Sequence, residues 1–174
     1  MKNFADIKPH AMDLSDQYWT ENDIERLRMA KTLEEAGDIG VMILERMHAS
    51  GKEIVQVCGP MTTGGLGTLS ENMERFAIAI EQARAHGLLV FNQIPFQEAI
   101  ERLTSHLDEE YCTDILDIFF RKILGCGYVS RALFLSDWES SRGARWEWDF
   151  VRSCGIPASP YPDTWLPSPY RANP

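Results

Sequence analysis

The sequence contains no run of apolar residues approaching the roughly 18 that a membrane-spanning helix requires. It does not open with a basic segment followed by an apolar one, the pattern of an export signal. A cytoplasmic protein with no membrane partner is therefore expected. Basic residues are also scarce, with 17 Lys and Arg against 26 Asp and Glu and a formal net charge of −9. Such a chain repels a phosphate backbone, which excludes nucleic acid as an expected partner. Cysteine is sparse too. Cys58, Cys112, Cys126 and Cys154 are widely spaced, with no CxxC and no Cys/His pairing, so neither a zinc site nor a disulfide framework is signalled. They read as reduced, mostly buried thiols. His10, His48, His86 and His106 sit near no motif and read as surface or helix-end residues. There is no internal repeat, no strict G-x-G-x-x-G fingerprint and no phosphate-binding loop with its Lys. No metal and no cofactor are expected.

At 174 residues and 44% hydrophobic, the chain can bury a core without staples, as one domain with an extension. Residues 1–52 read as an N-terminal helical extension. Thr20 looks like a helix cap, Ile24, Leu27, Leu33 and Ala36 follow at helical spacing, and Gly37 and Asp38 break the pattern. A second apolar set, Ile39, Ile43, Leu44 and Met47, predicts another helix ending near Gly51. From Lys52 the pattern changes. IVQVCGP reads as a strand running into the Gly-rich loop MTTGGLGT. Thr68 with Glu71 resembles a capping box, and Met73, Phe76, Ala77, Ile80 and Ala83 give the next helix its apolar face.

LLVFN is a second strand and RALFLSDW a third, after a helical stretch that includes Tyr111 to Leu124. GIPAS is a fourth, after a helix over 142–153. Strands alternating with helices predict a Rossmann-like (flavodoxin-like), mostly parallel α/β sheet of four to five strands with helices on both faces. This domain spans 53–160, and a Pro-rich tail over 161–174 reads as irregular chain wrapping a surface. The carboxylates of residues 98–117 read as a solvated helix face without metal spacing.

In such sheets ligands bind beyond the carboxyl ends of the strands, where turns expose backbone N–H groups. Two loops qualify, 59–68 and 136–143. The first is weak evidence alone, because Gly64, Gly65 and Gly67 also fit as plain turn residues. The helix in SSRGARWEWDFVRSCG carries more. At roughly 100° per residue, Arg142, Arg145, Asp149 and Arg152 share one stripe, and Glu147 lies opposite, aimed at the apolar side of its own helix. A buried carboxylate is costly unless paired or used. It can cap a backbone group, pair with a buried Arg, or act as a nucleophile at a sugar C1, where the transition state carries positive charge. Trp138, Trp146 and Trp148 fit packing roles, with Trp138 the best placed for base stacking.

CGPMTTGG, then Asn72 and Phe76 as N-x-x-x-F, then a strand ending in WESSRGARWE resemble the nucleoside 2-deoxyribosyltransferase-like superfamily, in particular small, often phage-borne members with GPMTG and GWExSRGARxE motifs. The resemblance covers residues 53–160. It implies cleavage or exchange of the N-glycosidic bond of a nucleoside or nucleotide, with Glu147, four residues after Gly143, as the nucleophile at C1′. It places Ser141 against the substrate phosphate or sugar and Gly59, Pro60, Met61, Thr62, Gly64 and Gly65 in the loop that holds substrate, with Asn72, Trp138 and Gly143 as further substrate-binding candidates. MTT stands where the monophosphate hydrolases carry an Arg, and Ser130 replaces an Asp that commonly opens the third strand. Asp137 is the candidate second carboxylate. A small-molecule nucleoside or nucleotide is the expected partner, together with further copies of the chain in a homo-oligomer. The alternative is a catalytically silent nucleotide or sugar-phosphate binding module.

Overall fold

A computed structural model describes residues 17–106 and 113–171. His10, Tyr111 and Cys112 therefore lie outside the described residues. The chain begins with α1 (Glu21–Met29) and α2 (Leu33–His48), followed by β1 (Ile54–Cys58), α3 (Leu69–Ala85) and β2 (Leu89–Val90). A 3-10 turn over Ile94–Phe96 leads into α4 (Gln97–Thr104), and a π-helical turn, Ile115–Phe120, leads into α5 (Arg121–Gly125). The chain then forms β3 (Val129–Phe134), α6 (Arg142–Ser153) and β4 (Ala158–Pro160). The four strands are all parallel in the order β2-β1-β3-β4. This is the expected Rossmann-like α/β architecture, with the connection between β1 and β3 passing through the edge strand β2. Among the described residues, no helix is long and apolar enough to cross a membrane.

Parallel strands covered on both faces read as continuous apolar runs, and β1, buried at all five positions, does so. Its alternation divides the core in two. Val55 and Val57 pack with Phe76, Ile80 and Ala83 of α3, together with Leu133, Tyr161 and Leu166. Ile54 and Cys58 face the other layer, which holds Ile43, Leu44 and Met47 of α2, Phe119, Ile123 of α5 and Val151 of α6. The helices before the first strand thus belong to the same core as the sheet. Tyr161 anchors the tail, its hydroxyl donating to Ala79 O at 2.9 Å, and Trp165 stacks on His86.

Two sequence expectations change. Gly37 and Asp38 do not interrupt a helix. The break falls at Ala30–Lys31, Thr32 caps α2, and the glycines lie inside it. Their missing side chains admit α5: a Cβ on Gly40 would stand 2.3 Å from Ile123 Cδ1, and one on Gly37 would stand 3.0 Å from Lys122 Cδ. The fourth strand starts later than GIPAS, at Ala158, where its pairing with Ala132 begins.

Candidate active site

β1 ends at the buried Cys58, and Gly59 follows with no room for a side chain, since a Cβ would lie 2.7 Å from Leu135 Cδ1. The chain then turns into loop 59–68, which Asn72 organises from the first turn of α3. Its Nδ2 donates to Met61 O and Gly64 O, both at 3.0 Å, and its Oδ1 accepts from Leu66 N at 2.8 Å. Gly64 and Gly65 take φ of 71° and 67°, and Gly64 approaches so closely that a Cβ would sit 2.4 Å from Ser140 O. Gly65 N donates to Ser140 Oγ at 2.9 Å, and Arg142 N donates to Thr63 Oγ1 at 3.1 Å. The Gly-rich loop and the loop after β3 are therefore tied to each other at the carboxyl ends of the two central strands.

Ser141 caps α6 by accepting from Ala144 N at 3.3 Å. This cap fixes the first turns of the helix, and one and a half turns on, Glu147 points inward with 5% of its surface exposed. It opens onto a cavity of about 390 Å³, which it lines with Gly59, Met61, Thr62, Ser141, Gly143 and Ala144. The opposite part is formed by Gln93, Gln97, Ile100, Glu101 and Thr104, together with Ile115, Leu116 and Phe120 of the π-helical turn and α5 junction. That volume is within the range of small-molecule sites. Among the described residues lining it, none is Lys, Arg or His.

Burial pushes the Glu147 carboxyl up to about 8, against a smaller opposing effect of the hydrogen bond from the Cys58 thiol. The thiol is itself raised well above its ordinary value, chiefly by burial, then by the neighbouring Glu147 charge and their hydrogen bond. A buried carboxyl set against a thiol, with no arginine in the cavity lining, is accessible to a ligand.

Of the residues singled out in the sequence, Gly59, Met61, Thr62, Ser141, Gly143 and Glu147 share the cavity. Pro60, Gly64, Gly65 and Asn72 do not line it but shape the loop that does, Pro60 packing beneath Gly65. Asp137 and Trp138 also stand outside the lining. Asp137 Oδ2 accepts from Arg75 Nη1 at 2.6 Å, and Trp138 stacks on Trp148 with centroids 4.4 Å apart, so a protein ring already covers one face of it. Ser130 lies at the far end of the sheet, its hydroxyl accepting from Ile54 N at 3.3 Å. Four residues with a place here are not among the site residues the sequence suggests: Cys58, which reads there as a core thiol, Gln93, Gln97, and Glu101, which reads as part of a solvated face but lines the cavity. The four-residue spacing of the last three was the available signal.

A family model described as Domain of unknown function (DUF4406) matches residues 53–159, from the residue before β1 through most of β4. No curated protein and no solved structure matches the chain.

Proposed function

The chain belongs to the family described as Domain of unknown function (DUF4406), and from that premise and the cavity we propose an enzyme of the N-glycosidic bond, acting on a nucleoside or nucleotide through Glu147. The observation that carries the reading is the position of this carboxyl, buried at 5% exposure yet lining an open cavity beside Gly143. A carboxylate there meets the positive charge that develops at C1′ as the glycosidic bond breaks. In the proposed step, a Glu147 oxygen bonds to C1′ while the bonding pair leaves on the base nitrogen, which takes up a proton. Water or a second base then attacks C1′ and releases Glu147, so hydrolysis and transfer differ only in the acceptor. Gly143 leaves space for the sugar, and the hydroxyls of Ser141 and Thr62 lie on the same wall. The resemblance to the nucleoside 2-deoxyribosyltransferase-like superfamily supports the same assignment.

Incubation of the purified chain with a panel of ribo- and deoxyribonucleosides and their 5′-monophosphates, with free base followed by chromatography, tests it. Base release that disappears in Glu147→Gln is expected. A panel without any release removes the enzymatic reading.

One observation favours a second reading, a silent nucleotide or sugar-phosphate binding module. A carboxyl titrating at about 8 is mostly protonated at neutral pH, and a neutral acid is a poor nucleophile but a good hydrogen-bond donor. Thermal stabilisation by nucleotides without base release separates the two.

A further inference from the structure

We propose that Gln93, Gln97 and Glu101 form an edge-reading ladder that selects an aglycone presenting N–H donors, an amine-bearing heterocycle on an uncharged nucleoside. The proposal rests on the glycosidic-bond reading of Glu147 and names the substrate class it would act on.

Gln97 and Glu101 stand four positions apart on α4 and share one face, and Gln93 caps the 3-10 turn that leads into the helix. All three line the cavity. Around them the wall is apolar, made by Ile100, Ile115, Leu116 and Phe120, and suits the faces of a flat ring while the ladder addresses its rim.

The ladder is rich in acceptors. Gln93 is 4% exposed, and its Oε1 is buried without a hydrogen-bond partner, while its Nε2 reaches only the weak acceptor Met61 Sδ at 3.6 Å. A buried amide oxygen without a protein partner is costly and is satisfied by a ligand donor. Gln97 Nε2 donates to Glu101 Oε1 at 3.0 Å, which directs the donor of that amide to its neighbour and fixes the carboxylate on the wall. An amide oxygen and a carboxylate together ask for N–H groups, most strongly for an exocyclic amine.

The same surroundings disfavour phosphate. No basic side chain is present among the described lining residues, and Glu101 adds negative charge. In the first turn of α6, Arg142 N is directed to Thr63 Oγ1 and Ala144 N to Ser141 Oγ, so those two amides are not presented to an anion.

The test is calorimetric binding to full-length Glu147→Gln protein, which leaves the ligand intact. The probes are 2′-deoxyadenosine against purine 2′-deoxyriboside, 2′-deoxycytidine against its amine-free 2-pyrimidinone analogue, and 2′-deoxyadenosine 5′-monophosphate. In at least one pair the amine form is expected to bind about tenfold tighter or more, and the monophosphate more weakly than its nucleoside. Adding Glu101→Gln, with folding checked by the unfolding midpoint, is expected to reduce that preference to about threefold or less while the amine-free partner binds as before. Equal affinity within both pairs, or a preference that survives Glu101→Gln, overturns the ladder and leaves the glycosidic reading standing. If no probe binds, the nucleoside reading falls and the ladder with it.

Discussion

The Cys58 thiol at the end of β1 is hydrogen-bonded to the Glu147 carboxyl that α6 sends back toward the sheet. One residue ends the central strand at the carboxyl edge of the sheet, and the other sits one and a half turns into the helix after β3. Their contact joins the elements that carry the two loops, beneath the cavity that Glu147 lines. Because the thiol opposes part of the effect of burial on the carboxyl, it bears on when Glu147 becomes a nucleophile.

For catalysis, Glu147 must be ionised. Its carboxyl titrates at about 8, so kcat/KM for base release is expected to rise with pH and level off above about 8. Cys58→Ala removes the hydrogen bond that favours the charged form and should move this limb to higher pH, whereas Cys58→Ser keeps a donor and should move it less. A rising limb unmoved by Cys58→Ala contradicts the coupling.

The same shift sets a dependence of stability on pH. Glu147 titrates from 4.5 as its ordinary value to about 8 in the fold. Between those values the unfolded chain has released the proton and the native state has not, so stability falls as pH rises through the window and is flat above it. The full effect is on the order of 5 kcal/mol by linkage. Glu147→Gln abolishes the ionisation and should flatten this slope, becoming more stable than the parent at pH 8 and close to it at pH 4. Denaturant unfolding at the two pH values measures the difference.

Residues of the site were legible in the sequence where local periodicity decides the answer. Glu147 opposite a charged stripe and Gly59 after a β-branched strand follow from spacing within one element, whereas Ser141 enters only through the family resemblance and its cap on α6 only through the structure. The wall over α4 was not legible in that way. Glu101 lies among alternating charges that also describe a solvated face, and only the placement of α4 beside the π-helical turn puts it in the cavity. Gly37 reads as a helix breaker in the sequence because its value, like that of Gly40, is tertiary, in the space the two leave for Lys122 and Ile123. Asp137 looked free to act because its partner, Arg75, is 62 residues away in the chain.

Loop 59–68 tolerates little change at its glycines. Gly65 has φ of 67°, and a Cβ there would lie 2.3 Å from Asn72 Oδ1 and 2.7 Å from Pro60 Cβ. Gly65→Ala combines left-handed backbone strain with displacement of the Asn72 clamp, and a loss of about 2–3 kcal/mol is expected together with a higher KM. Gly51 has a similar φ of 73° but open space around it, so Gly51→Ala should cost only about 1 kcal/mol and leave KM unchanged. Equal effects of the two substitutions would show that the loop's packing is unimportant.

The pair beneath the second loop separates a structural carboxylate from a chemical one. Arg75 is wholly buried, with Nε and Nη2 lacking hydrogen-bond partners, and Asp137, 21% exposed, accepts from its Nη1. Removing the acid strands a guanidinium in the interior. Asp137→Ala is therefore expected to destabilise the fold by about 3 kcal/mol or more, beyond what a surface ion pair would cost. Replacing both residues, as in Arg75→Met with Asp137→Ala, removes the stranded charge and should recover much of that loss. Because Asp137 does not line the cavity, kcat/KM per folded molecule should stay close to the parent value in the double variant, measured at a temperature where both proteins are native. A large drop in kcat there, with stability recovered, would instead give Asp137 a part in the reaction.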